Sequence, residues 1–229
     1  MYPANLTHHP FLPTMNCKSM TRKYAIMIDA GFLRAKLGTK DKPIDAEVIK
    51  VFVEKLTKRP ELGGMILHRV YYYDAEPLTG IQTHPISGEK IDFSETEVSK
   101  RNKAMLDELK RTPFFAVRLG ETNFRGWKVD PWALKSSDSK TSSINAYNVK
   151  PNVQQKGVDM RIALDMSSMS LKKQADIYAL VTGDSDFVPI IKFARKEGRQ
   201  IFLYTLGHSV KQTMYEHSDL LVPDTMDKL

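Results

Sequence analysis

Two short, almost wholly apolar runs, Tyr24–Ile28 (YAIMI) and Asp176–Thr182 (DIYALVT), each lead straight into an aspartate-bearing turn. Asp29-Ala30-Gly31 follows the first and Gly183-Asp184-Ser185-Asp186-Phe187 the second. A run this short and this apolar reads as a strand buried on both faces, and the sheet that contains it must be covered on both sides. Met65–Tyr73 (MILHRVYYY), Phe114–Leu119 (FFAVRL) and Arg199–Leu206 (RQIFLYTL) repeat the pattern, and Leu220–Val222 makes a short last strand before Pro223. Helix-length segments lie between them. Residues 44–56 place Val48, Val51, Phe52 and Leu56 at helical spacing, and residues 94–111 form a long polar helix with Ser94 and Glu97 in capping-box spacing. Gly157-Val158-Asp159 opens a helix whose Met160, Ala163, Leu164 and Met166 are expected on one side. Another helix runs from GDSDF to Lys196, stopped by Gly198, and a short one covers 208–217. Strands alternating with helices in this way predict an α/β fold around a mainly parallel, doubly wound sheet.

The chain has 229 residues, enough for one domain with embellishments and a sizeable core. Residues 1–19 hold three prolines and no acid, and lack the continuous apolar core of a secretory signal. They read as a poorly ordered extension, with Met20 an equally sensible chain start, so the domain is expected over 20–229. Residues 75–93 read as a loop. No apolar run reaches the roughly 18 residues a membrane helix requires, and the single Cys17 excludes an internal disulfide and a Cys-rich zinc site. The cytoplasm is the expected compartment.

The net charge of +7 resides in one quarter of the chain: residues 100–156 hold 12 Lys/Arg against 5 Asp/Glu, while the remainder cancels. Its later part, 120–156, shows no clear periodicity and reads as a basic insert that interleaves aromatics with cations. Such a surface attracts polyanions, and nucleic acid is the first partner to consider. Arg125, Trp127, Lys128 and Lys135 are the candidate contacts, cations for phosphates and aromatics for bases. The tryptophans could equally pack the insert onto the sheet.

Ligands of open parallel sheets bind beyond the carboxyl ends of the strands. Asp29, Asp184 and Asp186 are placed there by their strands, and Asp159 by the tight entry that Gly157 permits. Each acid alone has a structural explanation as a turn or helix cap. Together, converging carboxylates repel, and a divalent cation relieves that repulsion. Hard oxygen donors select Mg²⁺ or Mn²⁺ over zinc, and histidines at 8, 9, 68, 84, 208 and 217 offer no metalloprotease spacing. Carboxylates and metal beside a phosphate-attracting surface imply phosphodiester hydrolysis. Asp165, about 240° around the helix from Asp159, is expected to be supporting or structural. Asp74 is a weaker candidate, and Tyr71–Tyr73 are expected to pack.

Asp29-Ala30-Gly31-Phe32-Leu33, Gln155-Lys156-Gly157-Val158-Asp159 and Leu180-Val181-Thr182-Gly183-Asp184-Ser185-Asp186-Phe187 together resemble the three signatures of NYN domains, nearest the bacterial LabA-like branch of the PIN-like nuclease superfamily. The resemblance spans about residues 24–224 in the family's order. It implies a three-layer α/β/α sandwich with a Mg²⁺- or Mn²⁺-dependent ribonuclease site at Asp29, Asp159, Asp184 and Asp186, with Lys156 and Ser185 beside them as candidate substrate contacts. Phe32 stands where the family often has asparagine, which removes any polar contact from that position.

Three functional readings follow. The first is a metal-dependent endoribonuclease, with Asp29, Asp159 and Asp184 on the metal and Asp186 ligating or orienting water. The alternative is a non-catalytic module that binds RNA or protein on a nuclease-like fold. An aspartyl-phosphate enzyme is disfavoured, because the second Asp such enzymes generally want two residues after the first is Gly31. Homo-oligomerisation is left open.

Overall fold

The computed structural model describes residues 21–39, 41–135 and 144–223, without the side chains of 134 and 135. The extension expected over 1–19, and Met20, lie outside the described residues.

Seven strands form the central sheet: β1 (Lys23–Asp29), β2 (Ile66–Ala75), β5 (Phe115–Val129), β6 (Val149–Lys156), β7 (Ile177–Val181), β8 (Gln200–Tyr204) and β9 (Leu220–Val222). Their order is β6-β5-β2-β1-β7-β8-β9, parallel throughout except for β5 against β6. Helices α1 (Ala30–Leu37), α2 (Ala46–Thr57), α3 (Glu97–Arg111), α4 (Pro131–Lys135), α5 (Val158–Leu171), α6 (Val188–Lys196) and α7 (Gln212–His217) connect them. The strand alternation sorts the core into two layers. Tyr24, Ile26 and Ile28 face Leu33, Phe52, Leu56 and Leu106 of α1, α2 and α3. Ala25 and Met27 face Ile162, Met166, Ile191 and Met214 of α5, α6 and α7. All five residues of β7 are buried, as a strand covered on both faces requires. The protein is thus an α/β sandwich, helices over both faces of a mostly parallel sheet.

Several local expectations are corrected. The helix expected from Ser94 starts at Glu97 instead, because Thr96 caps it by accepting from Ser99 N, and Phe93–Glu95 form a separate 3-10 turn. The buried stripe of α2 is Ile49, Phe52, Val53 and Leu56. On α5 it is Ile162, Met166, Met169 and Ser170, whereas Met160 and Leu164 are exposed. The expected loop 75–93 contains a hairpin, β3 (Ile81–Thr83) with β4 (Lys90–Asp92).

The largest correction concerns 120–156. The strand expected to stop at Leu119 runs on to Val129: its first part pairs with β2 as far as Gly120, and its remainder pairs antiparallel with β6. The basic segment is therefore a two-stranded arm projecting past the carboxyl edge of the sheet, and β6 returns along it to deliver Gly157 to the rim. Trp127 packs on His84 at 4.7 Å and on Phe124 at 5.5 Å between ring centroids, with Phe93 at 6.4 Å, pinning the β3–β4 hairpin to the arm.

Candidate metal and nucleic-acid site

β2 follows β1 on one side and β7 adjoins it on the other, so the strand order reverses between β1 and β7. That reversal is the crevice where such sheets bind ligands. Asp29 ends β1 and lies half-buried. Its Oδ1 accepts from Phe32 N at 3.1 Å, capping α1, and its Oδ2 accepts from Thr182 Oγ1 at 3.1 Å. Thr182 Oγ1 in turn accepts from Asp184 N at 3.2 Å, so one buried hydroxyl ties the ends of the two strands together. Asp184 Oδ1 accepts from Asp186 N at 2.9 Å, shaping the 3-10 turn that carries both acids. Asp159 lies in the first turn of α5, past Gly157, whose φ of 77° is the left-handed conformation glycine adopts without cost. Asp159 is not the cap, so its carboxylate is left exposed at the rim.

Asp29 and Asp184 thus serve as caps and also stand at the crevice. Burial raises the pKa of Asp29 above the ordinary carboxylate range, partly offset by the bonds from Phe32 and Thr182, and Asp184 adds a repulsive charge. Partial desolvation at the rim raises the pKa of Asp159 too, and the charges of Asp29, Asp184 and Asp186 push it further. Four acids from three separate segments therefore share one electrostatic neighbourhood. A recess of about 240 Å³ is lined by Asp29, Tyr73, Asp74, Gln155, Gly157 and Asp159.

Among the described residues, no three His, Cys, Asp or Glu side chains already stand at the spacing of a complete metal shell. Mutually repelling oxygen donors at a polar rim fit a hard dication that keeps several waters and takes only one or two carboxylates directly. The family model described as NYN domain matches residues 23–219. The chain belongs to the NYN family. That membership puts it with the PIN-like nuclease superfamily, whose substrates are nucleic acids and whose sites typically use divalent metals. No curated protein matches the chain. A solved structure, a protein of unknown function from Vibrio parahaemolyticus, is similar at 15% identity over 88% of this chain and 92% of that one, with a TM-score of 0.49.

Other expected residues of this NYN domain are dispersed. Lys156 lies opposite Glu121 in the strand register at the base of the arm, next to Gly157, and Ser185 sits between Asp184 and Asp186. Arg125 is exposed on the arm, its Nε donating to Gln154 Oε1 at 3.3 Å, and Lys128 is exposed beyond it. Trp127 is engaged in the aromatic packing described above. Lys135 ends α4, and its side chain lies outside the described residues. Among the described residues, no helix is long and apolar enough to cross a membrane.

Asp165 lies behind the recess, where it accepts from Arg118 Nε at 2.9 Å and from the Tyr73 hydroxyl at 3.2 Å. Asp74 is buried and paired with the Arg34 guanidinium, which fixes it as an anionic wall of the recess. Thr182 and the Arg34–Asp74 pair escaped sequence reasoning. Thr182 lies inside the third signature, where a hydroxyl closing an apolar strand was the available signal; Arg34, five residues past Asp29, carried none. Gly183 is needed for room: a Cβ there would stand 2.7 Å from Phe32 Cε2 and closer still to the His208 ring. That ring is held edge-on to Phe32, and its Nδ1 faces Lys36 Nζ at 3.2 Å.

Proposed function

We propose that this NYN domain is a metal-dependent endoribonuclease that hydrolyses RNA phosphodiester bonds. The observation that carries this reading is the placing of Asp29, Asp184 and Asp186 at the ends of the two strands between which the order reverses, with Asp159 lining the same recess as Asp29. Asp29, Asp159 and Asp184 would hold Mg²⁺ or Mn²⁺, one or two of them directly and the rest through the ion's waters, and Asp186 would ligate or orient the attacking water. The bound ion supplies an activated water and positive charge opposite the phosphate. Thr182 holds the Asp29 carboxylate in place through its hydroxyl. Lys156 and Ser185, next in the chain to the rim residues, would contact the substrate backbone. Arg125, Lys128 and Lys135 would extend the cationic track along the arm, and Trp127 would support it by packing. A single domain over 20–229, working in the cytoplasm, completes the proposal.

The test is incubation with labelled single-stranded RNA and DNA in Mg²⁺, Mn²⁺ or EDTA, beside Asp184→Asn. RNA cleavage that requires metal and disappears in the variant is the expected result. If neither protein cuts while both bind RNA in a salt-sensitive way, the non-catalytic binding module replaces this reading.

A further inference from the structure

Beside the carboxylate recess lies a second pocket of about 380 Å³, large enough for a small planar ligand. Leu78, Phe93, Pro151 and Val153 give it apolar walls, and Asn102 and Thr122 add neutral polar groups. The Thr122 hydroxyl is buried and has no hydrogen-bond partner among the described residues, a cost that a ligand's polar edge would remove. Of the charged wall residues, Arg34 and Asp74 satisfy one another, and Glu76 stands exposed at the side away from the carboxylate recess. Such a chamber suits a flat, uncharged heterocycle with a hydrogen-bonding edge.

Its neighbours specify the rest of the ligand. On one side it adjoins the carboxylate recess, with Asp74 and Gln155 lining both. On the other it adjoins a third recess of about 580 Å³, with Glu76, Pro77 and Ser99 lining both, where Lys100, Lys103 and Lys110 project from α3. Lys100 and Lys110 pair with Glu95 and Asp107 at the surface, where such pairs contribute little and yield readily to a phosphate. A carboxylate rim, a largely apolar pocket and a recess that carries three lysines among Glu76, Glu95 and Asp107 adjoin in that order, the sequence that phosphate, base and phosphate take along a single strand.

We infer that this pocket receives the unpaired base of a nucleotide flanking the scissile phosphate, so that the enzyme selects single-stranded RNA and reads one base beside the cut. The inference rests on the ribonuclease reading. Its test uses single-stranded RNA carrying 2-aminopurine at successive positions, bound to Asp184→Asn protein in Mg²⁺, with cleavage sites mapped for the wild type. One position next to the cut should change fluorescence on binding. Asn102→Leu, which keeps a good helix former on α3, and Val153→Trp, which fills the pocket from an exposed strand position, should each abolish that signal. Both should weaken binding about tenfold, the scale of one lost base contact, and relax base preference at that position alone. If wild type cuts RNA but no position responds, or both variants keep the signal, the pocket assignment fails and the ribonuclease reading stands. If RNA is neither bound nor cut, both fall together.

Discussion

The Thr182 hydroxyl donates to Asp29 Oδ2 at 3.1 Å across the seam between β7 and β1. A side chain buried at the end of one strand thereby orients the carboxylate at the end of its neighbour. Thr182→Val keeps the shape and removes this bond together with the one that Thr182 Oγ1 accepts from Asp184 N. Metal-dependent cleavage should fall about 10- to 100-fold, the usual cost of losing a partner that orients a metal ligand. Titrating activity against Mn²⁺ checks this: the variant should need more metal for half-maximal rate.

Asp29 and Asp159 have raised pKa values in the folded protein. A carboxyl raised on folding favours the fold while protonated, below its unfolded pKa, and that contribution disappears as pH rises through the folded value. In EDTA, Asp29→Asn removes the burden and still caps α1, since asparagine Oδ1 accepts the Phe32 N–H equally well, while its Nδ2 then donates to Thr182 Oγ1. Its Tm at neutral pH should exceed that of the wild type, since the amide carries no charge to desolvate. The gain should vanish as pH falls below the ordinary carboxylate range. Added Mn²⁺ should raise the wild-type Tm more than that of the variant.

Arg34→Ala leaves the buried Asp74 carboxylate without its guanidinium partner. Urea denaturation should show a loss of about 3 kcal/mol, the scale for breaking one side of a buried pair. Arg34→Ala with Asp74→Asn should lose less, because the stranded charge has been removed.

Gly183→Ala places a methyl against Phe32 and His208. Overpacking of this kind costs about 1–3 kcal/mol, and the displaced turn carries Asp184 and Asp186. Tm and cleavage should fall together. His208→Ala in the same chain should recover part of the stability by vacating one of the two contacts.

Arg125→Ala and Lys128→Ala lie on the exposed arm, away from the core. Each should weaken RNA binding at low salt and reduce the salt-dependence slope by about one, while the thermal midpoint stays within a degree. Binding isotherms at several salt concentrations give the slope.

Local chemistry determined much of this protein. The apolar runs at Tyr24–Ile28 and Asp176–Thr182 demand burial on both faces whatever surrounds them, so the parallel sheet, and aspartates at its carboxyl edge, follow from the sequence alone. Other features depend on residues distant along the chain. The extension of β5 past Gly120 is set by pairing with β6, where Phe124 meets Val153, Trp127 meets Pro151 and Val129 meets Val149; the bulge between Phe124 and Trp127 breaks the period in β5, and Pro151 interrupts the short alternation of β6. Asp74 reads like any strand-end acid until Arg34 comes to lie against it, and Trp127 reads like a base platform until Phe93 and His84 occupy its face. Periodicity reports the burial of an element's own side chains. Which partners meet at its ends is decided only when the sheet order brings β1 beside β7 and turns the arm back to the rim.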